Sequence, residues 1–101
     1  MLVYNITTKV DWTIARDWEA WMLDFHIPEV LGSGAFERHQ FVRLLETDET
    51  EGPTYAVQYF ASHRHKYNEY VKQYANRYRQ EAFEKWGSHF IAFTSLMEVI
   101  S

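Results

Sequence analysis

The fold is decided by residues 2–25, which read LVYNITTKVDWTIARDWEAWMLDF. Residues 2–10 are rich in β-branched and aromatic types, and this composition predicts a first strand. Asp11 follows where an N-cap is expected, because its carboxylate can accept hydrogen bonds from the free amides of the next turn. Beyond it, apolar residues recur at helical spacing and predict one buried helix face, made of Ile14, Trp18, Trp21, Met22 and Phe25.

The residues after this helix predict its end and then a hairpin. Pro28 disfavours helical conformation in the residue before it, so the helix is expected to end at His26–Ile27. Residues 36–47 have an apolar centre and predict a second strand, and residues 54–61 predict a third. The short acidic segment between the two strands is typical of an antiparallel hairpin.

A long second helix is predicted over residues 62–86, with Ser62 as its cap and Gly87 as its stop. Its apolar stripe drifts by about 100° between Tyr67 and Trp86, because the steps between them do not complete whole turns. We therefore expect this helix to kink near residues 76–80.

Residues 90–100 predict a fourth strand, which completes the order β-α-β-β-α-β. This order predicts a single α+β domain over residues 1–101 with a ferredoxin-like fold, a four-stranded antiparallel sheet carrying both helices on one face. Right-handed crossovers place the first and third strands in the centre. The other face is expected to be apolar enough to bury against a second copy in a homodimer, through Val3, Asn5, Thr7, Ala56, Gln58, Phe60, Phe90, Ala92, Thr94 and Leu96.

Composition excludes several classes of protein. The chain has 101 residues and no cysteine, so disulfide frameworks and thiolate zinc sites are excluded. Its net charge of −4 disfavours a partner rich in phosphates, and we expect no nucleic acid. No apolar run reaches the ~18–20 residues that span a bilayer, and the first residues lack the basic start of a signal peptide. We expect no membrane partner and a cytoplasmic location.

The five histidines do not predict a metal site. His63 and His65 stand two apart at a helix start, about 200° around its axis, and are not expected to share an ion. His39 is expected to face solvent, and His89 has no evident partner. No cofactor is predicted either, because no dinucleotide or phosphate-binding fingerprint is present.

His26 ends the first helix and has two interpretations. It caps the helix by bonding the last carbonyls, where the helix dipole favours its protonated form. Alternatively it is a catalytic acid or base at the mouth of a pocket, because its pKa near neutrality suits proton transfer.

Aromatic side chains predicted to face the helices also have two interpretations. They form a solid core, or they line a cavity in which a few hydroxyl groups orient a small molecule. In the second case the candidate catalytic residue is His26. The candidate ligand-binding residues are then Tyr4, Trp21, Tyr59 and Tyr74.

The sequence resembles a family of short bacterial proteins of unknown function. Six runs spread over nearly the whole chain carry the resemblance: VYNITT at 3–8, WM at 21–22, HIP at 26–28, YAVQY at 55–59, YRQE at 78–81 and GSHFIAF at 87–93. Trp86 and Ser88 depart from the Phe and Asp usual there. The resemblance implies a ferredoxin-like dimer related to the dimeric α+β barrels.

The wider relatives that this resemblance implies include cofactor-free oxygenases, haem-degrading enzymes and isomerases. A haem-degrading relative needs an Asn on the first strand, a Trp on the third and a His within the second long helix. Only Asn5 meets these requirements, so haem degradation is excluded.

The residues leave two classes of function open. The first is a small dimeric protein that binds or converts an aromatic or apolar metabolite without a cofactor, either as an oxidoreductase of the oxygenase kind or as an isomerase. The alternative is a structural or regulatory interaction module, which a dimer without a cavity would favour. RNA binding is less favoured, because residues 52–57 lack the basic-glycine-aromatic signature.

Overall fold

The computed structural model describes residues 1–101 as one antiparallel sheet with two helical units on the same face. The elements in chain order are β1 (Leu2–Val10), α1 (Ala15–Trp21), a first π-helical turn (Met22–His26), α2 (Ile27–Leu31), β2 (Arg38–Arg43), β3 (Thr54–Ala61), α3 (Arg64–Tyr70), a second π-helical turn (Val71–Ala75), α4 (Asn76–Trp86) and β4 (Phe90–Glu98). No helix combines the length and the apolar composition of a bilayer-spanning segment.

The strand order is β2-β3-β1-β4, and every neighbouring pair is antiparallel. The prediction that the first and third strands lie in the centre is confirmed, as are the bounds predicted for β1 and β3. β2 is shorter than predicted and leaves Leu44 and Leu45 outside the sheet. The ferredoxin-like βαββαβ architecture is therefore present.

The prediction of which β4 residues occupy the helix-free face is wrong. Directly opposed residues of an antiparallel pair point to the same side of a sheet. Tyr4 opposes Leu96, and Val10 opposes Phe90, so Phe90, Ala92, Thr94 and Leu96 lie on the helix side. The helix-free face instead carries Ile91, Phe93, Ser95 and Met97.

The first helix does not end before Pro28. Its path continues through the first π-helical turn into α2. Pro28 lies in the first turn of α2, where the backbone N–H that proline lacks is not needed for a helical hydrogen bond. The backbone N–H of Ile27 donates to Met22 O, five residues earlier, which is the pattern of a π-helix. The predicted stop at His26–Ile27 is therefore wrong, because the wide turn accommodates the proline.

The second helical unit deviates at residues 71–75 rather than at 76–80 as predicted. One extra residue in a turn removes about 100° of rotation, which matches the drift expected of the apolar stripe. Tyr70, Ala75 and Tyr78 consequently share the buried face. Gly87 ends the unit as predicted, with a φ of 59° that favours glycine.

The core lies between the helix side of the sheet and the two helical units. Trp18 and Met22 are buried in it, as predicted, and Trp21 is partly buried. Phe25 is 51% exposed, so its assignment to the core is wrong. In the wide turn the residue that returns to the face of Met22 is the buried His26 instead.

Three predictions at the surface also need correction. Asp11 does not cap the first helix, whose N-cap is Ile14, and its Oδ2 lies 3.0 Å from His89 Nδ1. His89 therefore has a partner. His63 precedes the helix in extended conformation, so the helical angle does not apply, and its ring stacks on His65 at 5.5 Å.

Candidate functional site

A cavity of about 310 Å³ lies between the helix side of the sheet and both helical units. Strands β1, β3 and β4 form its floor, α1 with the first π-helical turn forms one wall, and the second helical unit forms the other. Thirteen of its sixteen lining residues are hydrophobic. The remaining three are Thr8, His26 and Arg79.

The structure brings three of the five predicted site residues together on this cavity. Tyr4 lies on the floor, and Trp21 and His26 lie on one wall. Trp21 and His26 stack with ring centroids 4.7 Å apart. Tyr4 is nearly completely buried among the lining residues.

Tyr59 and Tyr74 do not line this cavity. Tyr59 is fully buried behind it, with its ring 5.2 Å from Phe36 and 6.4 Å from Tyr4. Burial raises the pKa of its phenol, whose hydroxyl group has no hydrogen-bond partner. The second π-helical turn rotates Tyr74 away, because Ala75 takes the inward position after Tyr70.

His26 presents a neutral imidazole to the cavity. Burial lowers its pKa from 6.5 to about 4, and the negative charge of Glu81 opposes this shift. Its Nδ1 atom is buried without a hydrogen-bond partner. The interpretation of His26 as a protonated C-cap is wrong, because the helical path continues beyond it to Leu31.

Arg79 was not predicted, and it is the cation on the cavity wall. Its Nη2 atom donates to Tyr4 Oη at 3.4 Å, across the space between α4 and β1. The sequence predicts a kink near residues 76–80, whereas the deviation lies at Val71–Ala75 and sets which side of α4 faces the cavity. The π-helical turn at Val71–Ala75 adds one residue to a helical turn, and the sequence does not predict this insertion.

Two carboxyl groups meet beside this wall, from α2 and α4. Burial, together with the neighbouring carboxyl group of Glu81, raises the pKa of Glu29 from 4.5 to about 7. The positive charge of Arg77 opposes the shift, with its Nε 3.7 Å from Glu81 Oε1. The surroundings therefore favour the protonated form of Glu29.

The arrangement offers hydrogen-bonding chemistry rather than metal ligation. No three His, Cys, Asp or Glu side chains converge closely enough to hold a metal ion. The polar groups available are a neutral imidazole, a guanidinium group and hydroxyl groups around an apolar space. Such a space suits a small molecule that is mostly apolar and carries a few polar groups.

The comparisons with known proteins agree with this fold. The sequence profile described as "Domain of unknown function (DUF4286)" matches residues 1–100. No curated protein matches the sequence.

Several solved structures share the architecture at low sequence identity. An ethyl tert-butyl ether d (ethd) family protein from Bacillus halodurans has a TM-score of 0.73 and 10% identity, over 99% of this chain and 100% of that chain. A mutant of SnoaB, a cofactor-independent oxygenase from Streptomyces nogalater, has a TM-score of 0.70 and 11% identity, over 99% and 94%. A dimeric ferredoxin-like protein from an uncultured marine organism has a TM-score of 0.64 and 11% identity, over 99% and 96%.

Proposed function

Because the chain belongs to the family described as domain of unknown function DUF4286, we propose from the site itself that the protein binds a small aromatic or otherwise apolar metabolite. The cavity between sheet and helices carries this proposal. Its volume of about 310 Å³ and its largely hydrophobic lining are typical of small-molecule sites, which span roughly 300–1,000 Å³. A solid aromatic core would leave no such space.

His26 is the candidate acid–base group in this proposal. Its neutral imidazole and unpaired Nδ1 suit it to accept a hydrogen bond from a hydroxyl group of the ligand, whereas a pKa of about 4 makes it a weak base. The finer proposal is a cofactor-free oxygenation or isomerisation of the bound molecule. The similarity in fold to the oxygenase SnoaB supports this class of reaction by analogy alone.

Filling the cavity tests the proposal. Ala82 lines the cavity, whereas Ala20 is exposed on α1. We expect aromatic acids or quinols to quench tryptophan fluorescence saturably, Ala82→Phe to abolish the binding, and Ala20→Phe to leave it unchanged. His26→Gln should weaken binding of ligands that carry a hydroxyl group. Equal binding by the Ala82→Phe and Ala20→Phe variants would contradict the proposal.

We further propose that two copies associate through the helix-free face of the sheet. Phe93 is 65% exposed and Ile91 is 56% exposed on this face, where water contact is unfavourable. Solved structures of similar fold that are described as dimeric ferredoxin-like proteins support association into a dimer. This face also suits the alternative function, an interaction module without catalysis.

Sedimentation equilibrium at micromolar concentration tests the association. We expect a homodimer that Phe93→Glu dissociates and that Leu45→Glu, an exposed position outside the sheet, leaves intact. A 12.1 kDa species at every concentration would contradict the proposal.

A further inference from the structure

We infer that the ligand of the cavity is an anion with an apolar body, and that Arg79 binds its carboxylate or enolate group. This inference rests on the proposed function and specifies the chemical class of the ligand. It assigns Arg79 a role in specificity.

Arg79 is the charged group on an otherwise uncharged cavity wall. Thirteen of the sixteen lining residues are hydrophobic, Thr8 is neutral, and burial keeps His26 neutral at pH 7. Arg79 itself is exposed while it lines the cavity, so it stands where the cavity meets solvent. An anionic group at that point keeps contact with water while the apolar body enters the cavity.

The guanidinium group of Arg79 lacks an anionic partner within the protein. The ion pairs of the structure join Lys9 with Glu51, Arg43 with Glu49, Arg77 with Glu81, and His89 with Asp11. The side-chain hydrogen bond of Arg79 goes to a neutral acceptor, Tyr4 Oη, at 3.4 Å. A guanidinium group carries five N–H donors in a planar fork, so most of its donors stay available.

Tyr4 holds this cation at the cavity. The ring of Tyr4 is buried and packs against the rings of Tyr67 and Tyr70, with centroids 5.6 and 5.9 Å away. This fixed acceptor, 3.4 Å from Nη2 of Arg79, directs the guanidinium group toward the cavity through a long hydrogen bond. A positioned fork binds a carboxylate through two parallel hydrogen bonds, which are stronger than neutral ones. The geometry therefore favours a planar anion over a neutral molecule of the same shape.

A pair of probes with one shape and different charge tests the inference. 2-Naphthoate and 2-naphthamide share the same two fused rings, and only the first carries a charge. By isothermal titration calorimetry we expect the protein to bind 2-naphthoate at least about tenfold more tightly, as a charge-assisted bond implies. Arg79→Gln should remove this preference and leave the affinity for 2-naphthamide within about twofold.

Two further variants separate the role of Arg79 from a general loss of charge. Arg77 lies on the same helix but pairs with Glu81, so Arg77→Gln should keep the preference for the anion. Arg79→Lys retains the charge without the fork and should keep only part of the preference. Thermal melting of each variant checks that the fold is retained.

The outcomes distinguish the two proposals. Equal affinity of the unmodified protein for both probes, or a preference that survives Arg79→Gln, would overturn the inference and leave the cavity as a neutral binding site. Binding of neither probe, or binding that Ala82→Phe does not weaken, would overturn the proposed function and the inference with it.

Discussion

His26 and Glu29 give the free energy of unfolding opposite dependences on pH. Burial holds the pKa of His26 near 4, below its ordinary 6.5, so unfolding takes up a proton and stability falls as pH falls between those values. The pKa of Glu29 is raised from 4.5 to about 7, so unfolding releases a proton and stability falls as pH rises through that range. Substitution of either residue should leave the pH dependence of stability that the other one contributes.

We predict that Glu29→Gln stabilises the protein at pH 8 and has little effect at pH 5. At pH 8 the ionised Glu29 lies beside Glu81, and the amide removes that repulsion. Urea denaturation at both pH values measures the change, and Glu37→Gln, at an exposed position, serves as the control. A shift of the same size at pH 5 and pH 8 would contradict the assignment.

We also predict a large difference between two aromatic residues of the first helical unit. Trp18 is 3% exposed, so Trp18→Ala should cost about 3–5 kcal/mol in free energy of unfolding through the cavity it leaves. Phe25 is 51% exposed, and Phe25→Ala should cost less than about 1 kcal/mol. Chemical denaturation of both variants measures this, and equal losses would disprove the placement of the helix.

At the scale of elements, the sequence predicts where the second helical unit ends, but not how either unit turns inside. Gly87 identifies the end of the second unit because its φ of 59° suits glycine. Nothing local identifies the π-helical turns, since ordinary helix-forming residues occupy both. Their effect is large: Ala75 replaces Tyr74, and His26 replaces Phe25, on the buried face. The missed cavity residue Arg79 follows from the same change of phase.

Deleting Gln73 should turn the second π-helical turn into ordinary α-helix. Tyr70, Ala75 and Tyr78 would then stand at the spacing i, i+4, i+7 of an ordinary helix and keep their shared buried face. We therefore expect the deletion to change the free energy of unfolding by less than about 1 kcal/mol. Gln73→Ala removes the same exposed side chain, keeps the length of the helix and should alter stability by less than about 0.5 kcal/mol. A loss of about 3 kcal/mol or more in the deletion variant alone, measured by urea denaturation, would contradict this account.

At the scale of the whole molecule, the order of the strands can be predicted from the sequence, whereas the β4 residues that lie on the helix side of the sheet cannot. Alternation in β1 and β3 separates a core face from an open face, so their register follows from the sequence. β4 is apolar at both parities, with Phe90 and Leu96 on one side and Phe93 and Met97 on the other. Because both sets of side chains are apolar, the sequence of β4 does not indicate which set packs against the helices. The register of β4 against β1 determines it.

The central position of β1 also has a kinetic consequence. β1 pairs with β3 and β4, and Leu2 lies opposite Glu98, so the sheet forms only after nearly the whole chain has closed on itself. Helical units form from local contacts and need no such closure. We expect stopped-flow refolding to occur over milliseconds or longer, slower than the roughly microsecond-to-millisecond range of helical bundles. Refolding within microseconds would mean that the sheet is not the slow step. Until β1 pairs with β3, one edge of β3 stays open and can pair with another chain. Dilution should therefore raise the yield of refolded protein.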